Sequence, residues 1–127
     1  MICDWAMLCH DIEAHAASGG LSIIGVFVRL LVDRLPGTIH PPLSIAVRLS
    51  GIAGESGECV VAVHDPHGKI LKELPPQTIA MRPPSVDFSA SLAPISIREI
   101  GDHYVTVSIN GAELRRVVMP VNILKVM

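Results

Sequence analysis

His64, Asp65 and His67 come nearest, by type and spacing, to a set of residues that could do chemistry: two imidazoles and a carboxylate around one short segment. Zinc takes three or four ligands in a tetrahedral array, so this set would need further donors from elsewhere in the chain. The segment is therefore a candidate for holding a metal or a small ligand, and it specifies neither. A plainer account is that His64 ends a strand and His67 fills a permissive turn position. His10 and His15 are five apart, with Asp11 and Glu13 between them. On a helix that spacing separates two side chains by about 140°, a poor chelate.

Nucleophilic chemistry finds less support. Gly54-Glu55-Ser56-Gly57 lacks the final glycine of the Gly-x-Ser-x-Gly elbow, and it falls in a loop-like stretch. No His-Glu-x-x-His, phosphate-binding loop or dinucleotide fingerprint occurs. A reactive thiol needs a neighbouring base, and on a strand Cys9 and His10 point to opposite faces. No residue is assigned as catalytic or cofactor-binding, no cofactor is implied, and a hydrolase-type enzyme is the third reading.

The elements that would have to position these residues are strands. Asp65-Pro66-His67-Gly68 is a turn in which Asp accepts backbone hydrogen bonds, Pro presets its own φ and Gly tolerates a left-handed exit. Cys59–His64 enters it and Lys69–Leu74 returns. Asn110-Gly111 is a two-residue hairpin signal between Val105–Ile109 and Ala112–Leu114. A straight register would place Arg116 opposite the core residue Val105. A bulge near Arg115-Arg116 would instead turn Val117 and Met119 inward.

Leu43, Ile45, Val47 and Leu49 alternate with smaller or polar residues, as do Val86, Phe88, Ala90 and Leu92, which predicts two half-buried strands. Leu21–Val32 is apolar on both parities, the pattern of a strand covered on both faces. Residues 35–42, 51–58 and 93–101 read as connections, and 75–84, with a proline pair at each end, as an edge crossing or loop. Residues 2–9 favour a strand with Cys3, Trp5, Met7 and Cys9 on one face, followed by a loop or one helical turn over 11–17. A helix through residues 4–17 is the competitor. The fold class expected is all-β: one domain over residues 1–127, a two-layer antiparallel sandwich of seven or eight strands, of immunoglobulin-like or Greek-key type.

Half of the 127 residues are hydrophobic, 17% are charged and 3% are aromatic, so the core must be aliphatic. A chain of this length folds to a surface of about 6,500 Å², which buries roughly two-thirds of its unfolded area. So much aliphatic content should leave apolar surface over, the usual mark of an interface. The net charge of −2 and dispersed Lys and Arg argue against nucleic-acid binding. Arg29 and Gly25 interrupt the longest apolar run, which argues against a membrane span. Without a basic leader at its start, the chain reads as cytoplasmic. Three cysteines do not make a disulfide framework and read as reduced thiols.

The order of elements resembles a family of small bacterial proteins known only as a domain of unknown function. The likeness lies in the opening Asp4-Trp5-Ala6, in the glycine-led strand Gly20–Phe27 running on to Asp33-Arg34, and in Gly101-Asp102-His103-Tyr104 leading to Gly111. This chain departs from the family pattern with a longer first connection, Cys9–Ser18, and an extra residue between Gly101 and Tyr104. The resemblance implies a bacterial β-sandwich and carries over no functional residue. The leading functional reading is a non-catalytic module that works through protein–protein contact, as a homo-oligomer or with another protein. Its expected interface is Val26, Phe27, Val28 and Leu30 together with Val121, Ile123, Leu124 and Val126. A small-ligand or metal-binding module built on His64, Asp65 and His67 is the second.

Overall fold

Period-two alternation of aliphatic and polar residues builds almost every element of this chain. The computed structural model describes residues 1–15, 20–26 and 29–124, with backbone alone at 14–15, 20–22, 24 and 26. In chain order the strands are β1 (Ile2–His15), β2 (Gly20–Val26), β3 (Leu30–Val32), β4 (Gly37–Ile39), β5 (Ser44–Ser50) and β6 (Ser56–His64). They continue with β7 (Ile70–Glu73), β8 (Gln77–Ala80), β9 (Ser85–Ser91), β10 (Ile95–Ile97), β11 (Gly101–Ile109) and β12 (Ala112–Ile123). No helix occurs among the described residues, so none is long and apolar enough to cross a membrane.

The strands form a four-stranded sheet ordered β2-β1-β5-β9, a curled six-stranded sheet ordered β3-β12-β11-β6-β7 with β8 also on β6, and a two-stranded β10-β4 pair. Ile45, Val47 and Leu49 of the first sheet share one buried cluster with Val61, Val63, Val105, Val107 and Met119 of the second. Ile95, Ile97 and Ile39 from the small pair extend the same cluster. The core is aliphatic throughout, as the scarcity of aromatics requires.

Two bulges set which side chains face that core. In β1 the pairing with β5 shifts between Cys3 and Trp5, leaving Asp4 as the extra residue. Cys3, Ala6 and Leu8 therefore lie on the core side, and Met7 is exposed. This corrects the expectation of one face for Cys3, Trp5, Met7 and Cys9: the parity changes at Asp4. In β12 the pairing with β11 shifts between Val107 and Ser108, so that Val107 faces Arg115 and Val105 faces Val117. The expected bulge is present, at Leu114, and Val117 and Met119 turn inward. Arg115 then reaches back from the Leu114 bulge to donate to the carbonyls of Cys3 and Asp4 at 3.1 and 3.2 Å.

Several connections carry more order than the sequence pattern predicts. β4, β8 and β10 are strands of three or four residues inside segments read as loops, and the described chain holds twelve strands rather than seven or eight. Each is too short for a period-two pattern to show. β1 continues as strand through His15, so residues 11–15 form neither a loop nor a helical turn, and the competing helix is not adopted. The run Leu21–Val32 divides into β2 and β3 rather than forming one doubly covered strand. Among the described residues β1 pairs only with β2 beyond Cys9: Asp11–His15 pair with Gly20–Ile24 as a two-stranded ribbon past the edge of β5. Gly25, at φ +67°, stands at the root of that ribbon, where an added Cβ would meet the His10 Cβ at 3.0 Å.

Leu49 is fully buried between the two large sheets. Leu49→Ala should lower the unfolding free energy by about 2–5 kcal/mol. Urea denaturation followed by circular dichroism would show this as a lower midpoint with an unchanged slope.

Candidate functional site

The Asp65–Gly68 turn forms as its residue types require, and in doing so it separates the predicted site residues. Gly68 N–H donates to the Asp65 carbonyl at 3.0 Å. One carboxylate oxygen of Asp65 accepts from the backbone N–H groups of His67 and Lys69, both at 2.9 Å. His64 is the last residue of β6 and lies on the outer face of the six-stranded sheet. Its ring stacks on Tyr104 at 4.6 Å between centroids, and Nε2 lies 3.0 Å from the Thr106 hydroxyl. The Arg116 guanidinium stands 4.1 Å from the centre of the Tyr104 ring, from the opposite flanking strand. His67, at the exposed tip, pairs its Nε2 with Glu99 at 3.1 Å.

The three residues thus face three different environments and do not form a ligand set. Among the described residues no group of three or more His, Cys, Asp or Glu side chains could hold a metal ion. The reason is strand geometry: consecutive residues at the end of β6 point to opposite faces, and the turn itself consumes Asp65.

The structure brings a different histidine into play. His103 shares the parity of Val105, Val107 and Ile109 on β11 and is fully buried with them. Its Nδ1 lies 3.1 Å from the Gly101 carbonyl oxygen, while its Nε2 is buried without a hydrogen-bond partner. A carbonyl oxygen only accepts, so Nδ1 carries a proton and donates to it, while Nε2 is enclosed without a partner. A cavity of about 300 Å³ lies against it, lined also by Asp65, Lys69, Ile70, Leu71, Ser96, Arg98 and Glu99. The Asp65 turn forms one wall, and the His67–Glu99 pair ties that wall to the segment before β11. Gly101, at φ +131°, permits the close fit: an added Cβ would stand 3.1 Å from Pro66. Alternation with Val105 and Val107 is the one sequence signal that could have marked His103 as a polar group on a core face.

None of the thiols is activated. Burial pushes Cys59 up to about 11, with the Cys3 thiol adding to the shift. Cys9 is raised chiefly by burial and then by Asp11, and Cys3 is raised by burial against the opposing pull of Arg115. All three are free cysteines.

The predicted interface residues divide. Leu30 and Val121 are buried in the chain's own core, Ile123 is half-buried against it and Leu124 is 51% exposed. Val26 ends β2, with its backbone alone described, and Phe27, Val28 and Val126 lie outside the described residues. Leu31 and Leu124, both exposed, border a second cavity of about 540 Å³ with Pro36 and His40.

The model of a family of unknown function, DUF6941, matches residues 4–122. The chain belongs to that family, as the resemblance in its opening strand and final hairpin implied. No curated protein matches it.

Two outcomes follow from this chemistry. Cys9 and Cys59 should resist a disulfide-exchange reagent at pH 8 in the native protein and react in denaturant, because the buried thiols hold their protons. Prompt labelling of either in the native state contradicts that protection. The second concerns acid. The Arg48 hydrogen bonds hold Asp87 below the usual carboxylate range. Burial alone would raise Asp65, but the N–H groups of Lys69 and His67 reverse that and lower it. Both pKa values are depressed on folding, so their stabilisation is present above the unfolded value of about 3.9 and is lost as pH falls through the folded values. Urea unfolding measured down to about pH 2.5 should show that decline, and Asp65→Asn with Asp87→Asn should flatten it.

Proposed function

We propose that this DUF6941 member is a two-layer β-sandwich that works by protein–protein contact, pairing with a second copy of itself along the free edge of β2. The observation that carries this reading is the ribbon of Asp11–His15 with Gly20–Ile24, which stands beyond β5 and in which, among the described residues, β2 is paired on one side only. A two-stranded hairpin is marginal alone in water and gains stability from a third strand.

The character of the edges supports the choice of β2. β3 has three residues, while β7 and β8 have four each. β9 follows the Pro83-Pro84 pair and presents serines and Asp87. Short strands, prolines and charges are how sheets discourage pairing at an edge. β2, by contrast, runs Gly20-Leu21-Ser22-Ile23-Ile24-Gly25-Val26 with no charge and no proline. Antiparallel pairing of β2 with its copy joins two four-stranded sheets into one of eight.

Surface area points the same way. The chain exposes 7440 Å². That is about 900 Å² above the value expected for a compact monomer of its mass, and a standard interface covers about 800 Å² per partner. Leu31 and Leu124, exposed beside the β3–β12 pair, offer a second apolar contact for such an assembly.

Light scattering on a sizing column, over a dilution series, should give twice the 13.6 kDa chain mass at the concentrated end. Ile23→Lys places a charge on the edge strand of each copy and should weaken the dimer at least about tenfold. Single cysteines at positions 21–24, in a background where Cys3, Cys9 and Cys59 are serine, should crosslink at the position on the two-fold axis, where facing Cα atoms come within about 4.4–6.8 Å. A monomer at every concentration, or a dimer indifferent to Ile23→Lys and without crosslinks, overturns the reading.

A further inference from the structure

The tip of the β11–β12 hairpin is a modification site. We propose that Asn110 converts to aspartate and isoaspartate through a succinimide formed with Gly111, and that its bonds to β6 hold the reaction off while the chain is folded. The site shares no residue with the β2 edge, so either proposal can fail without the other.

The step is an attack within the chain. The Gly111 backbone nitrogen gives up its proton and bonds to Asn110 Cγ, the Cγ–Nδ2 bond breaks, and ammonia leaves. Water then opens the five-membered imide on either side of its nitrogen. Breaking the bond to Cγ gives aspartate. Breaking the bond to the main-chain carbonyl carbon gives isoaspartate, whose chain runs on through Cγ with an extra methylene. That extra length falls in the two-residue turn that sets the register of β11 on β12.

Gly111 meets the demands on the nucleophile. It has no side chain to crowd its nitrogen, and a Cβ added there would find nothing within 4 Å. Both turn residues are exposed, and among the described residues the Gly111 N–H makes no hydrogen bond. The chain's other asparagine, Asn122, differs on both counts. It precedes Ile123, whose branched side chain crowds the attacking nitrogen, and it lies within β12 where that strand pairs with β3.

The fold withholds the electrophile. Asn110 N–H donates to the Glu58 carbonyl at 3.0 Å, and Asn110 Oδ1 accepts from Glu58 N–H at 2.9 Å. One residue of β6 thus grips both the main chain and the side chain of Asn110. β6 flanks β11 on one side and β12 flanks it on the other. The amide is therefore held toward β6, while the Gly111 nitrogen lies on the path to β12. Gly57 leaves room for this grip: an added Cβ there would stand 3.2 Å from Asn110 Nδ2. Attack requires these bonds to open so that Cγ can swing to Gly111, which ties the reaction to local opening of the hairpin.

The test compares the unaltered full chain, native and in guanidinium chloride, incubated in one mildly alkaline buffer. Trypsin then places Asn110 in the peptide 99–115 and Asn122 in 117–125. Mass spectrometry reads the conversion of amide to acid in each, and chromatography against synthetic standards separates aspartate from isoaspartate. In the unfolded chain Asn110 should convert at least about tenfold faster than Asn122, whose neighbour is β-branched. In the folded chain Asn110 should convert at least about tenfold more slowly than in the unfolded one, the effect of two hydrogen bonds that must open together. Three results overturn the proposal: equal rates at Asn110 in the folded and unfolded chain, equal rates at Asn110 and Asn122 in the unfolded chain, or aspartate formed without isoaspartate.

Discussion

Side-chain parity along the β11–β12 hairpin is the constraint on which the rest of the structure depends. Asn110 at φ 49° and Gly111 at φ 84° close a two-residue turn that fixes the register from Ile109 and Ala112 outward. The turn is anchored to β6, because the Asn110 side chain accepts from Glu58 N–H at 2.9 Å and Asn110 N–H donates to the Glu58 carbonyl at 3.0 Å. Had the register run on unbroken, every residue from Arg115 onward would have presented its opposite face. The single extra residue at Leu114 reverses this and sends Val117, Met119 and Val121 into the core. Arg115 then reaches the carbonyls around the Asp4 bulge, so a local irregularity in one sheet is tied to an irregularity in the other.

That dependence explains which parts of the fold were legible in the sequence. β5 and β9 were readable because each alternates over seven residues, and β6 and β11 because each runs into a turn with a clear local signature. The turn at Asp65–Gly68 and the hairpin at Asn110-Gly111 were readable because their chemistry is local. A charge opposite a core valine also forecast the β12 bulge. The Asp4 bulge had no such conflict to announce it, since Cys3, Trp5 and Met7 suit either face. β4, β8 and β10 were hidden because three or four residues are too few for a period, and their order comes from their partners. The ribbon beyond Cys9 was hidden for the same reason, its pairing being with β2 rather than within itself.

The site was less legible than the fold, and the physical reason is direction. Spacing placed His64, Asp65 and His67 close along the chain, but a strand end sends consecutive side chains apart and a tight turn uses its own carboxylate. His64 accordingly spends its polar edge on Thr106 and its face on Tyr104. His103 reached the site by alternation, not by proximity to other ligand types. Residues at Ser96–Glu99, Asp65–Lys69 and His103 are far apart in sequence and meet only because β6, β7, β10 and β11 end together.

A buried imidazole with one nitrogen unpaired costs about 1–3 kcal/mol relative to a paired one. At the same position a valine would continue the pattern of Val105 and Val107 without that cost, so packing alone does not call for His103. The ring is held rather than tolerated. The Gly101 carbonyl accepts from Nδ1, and the Pro66 turn closes against Gly101, where an added Cβ would stand 3.1 Å from the proline ring. Backbone thus holds the ring in place, with Nε2 enclosed and unpartnered.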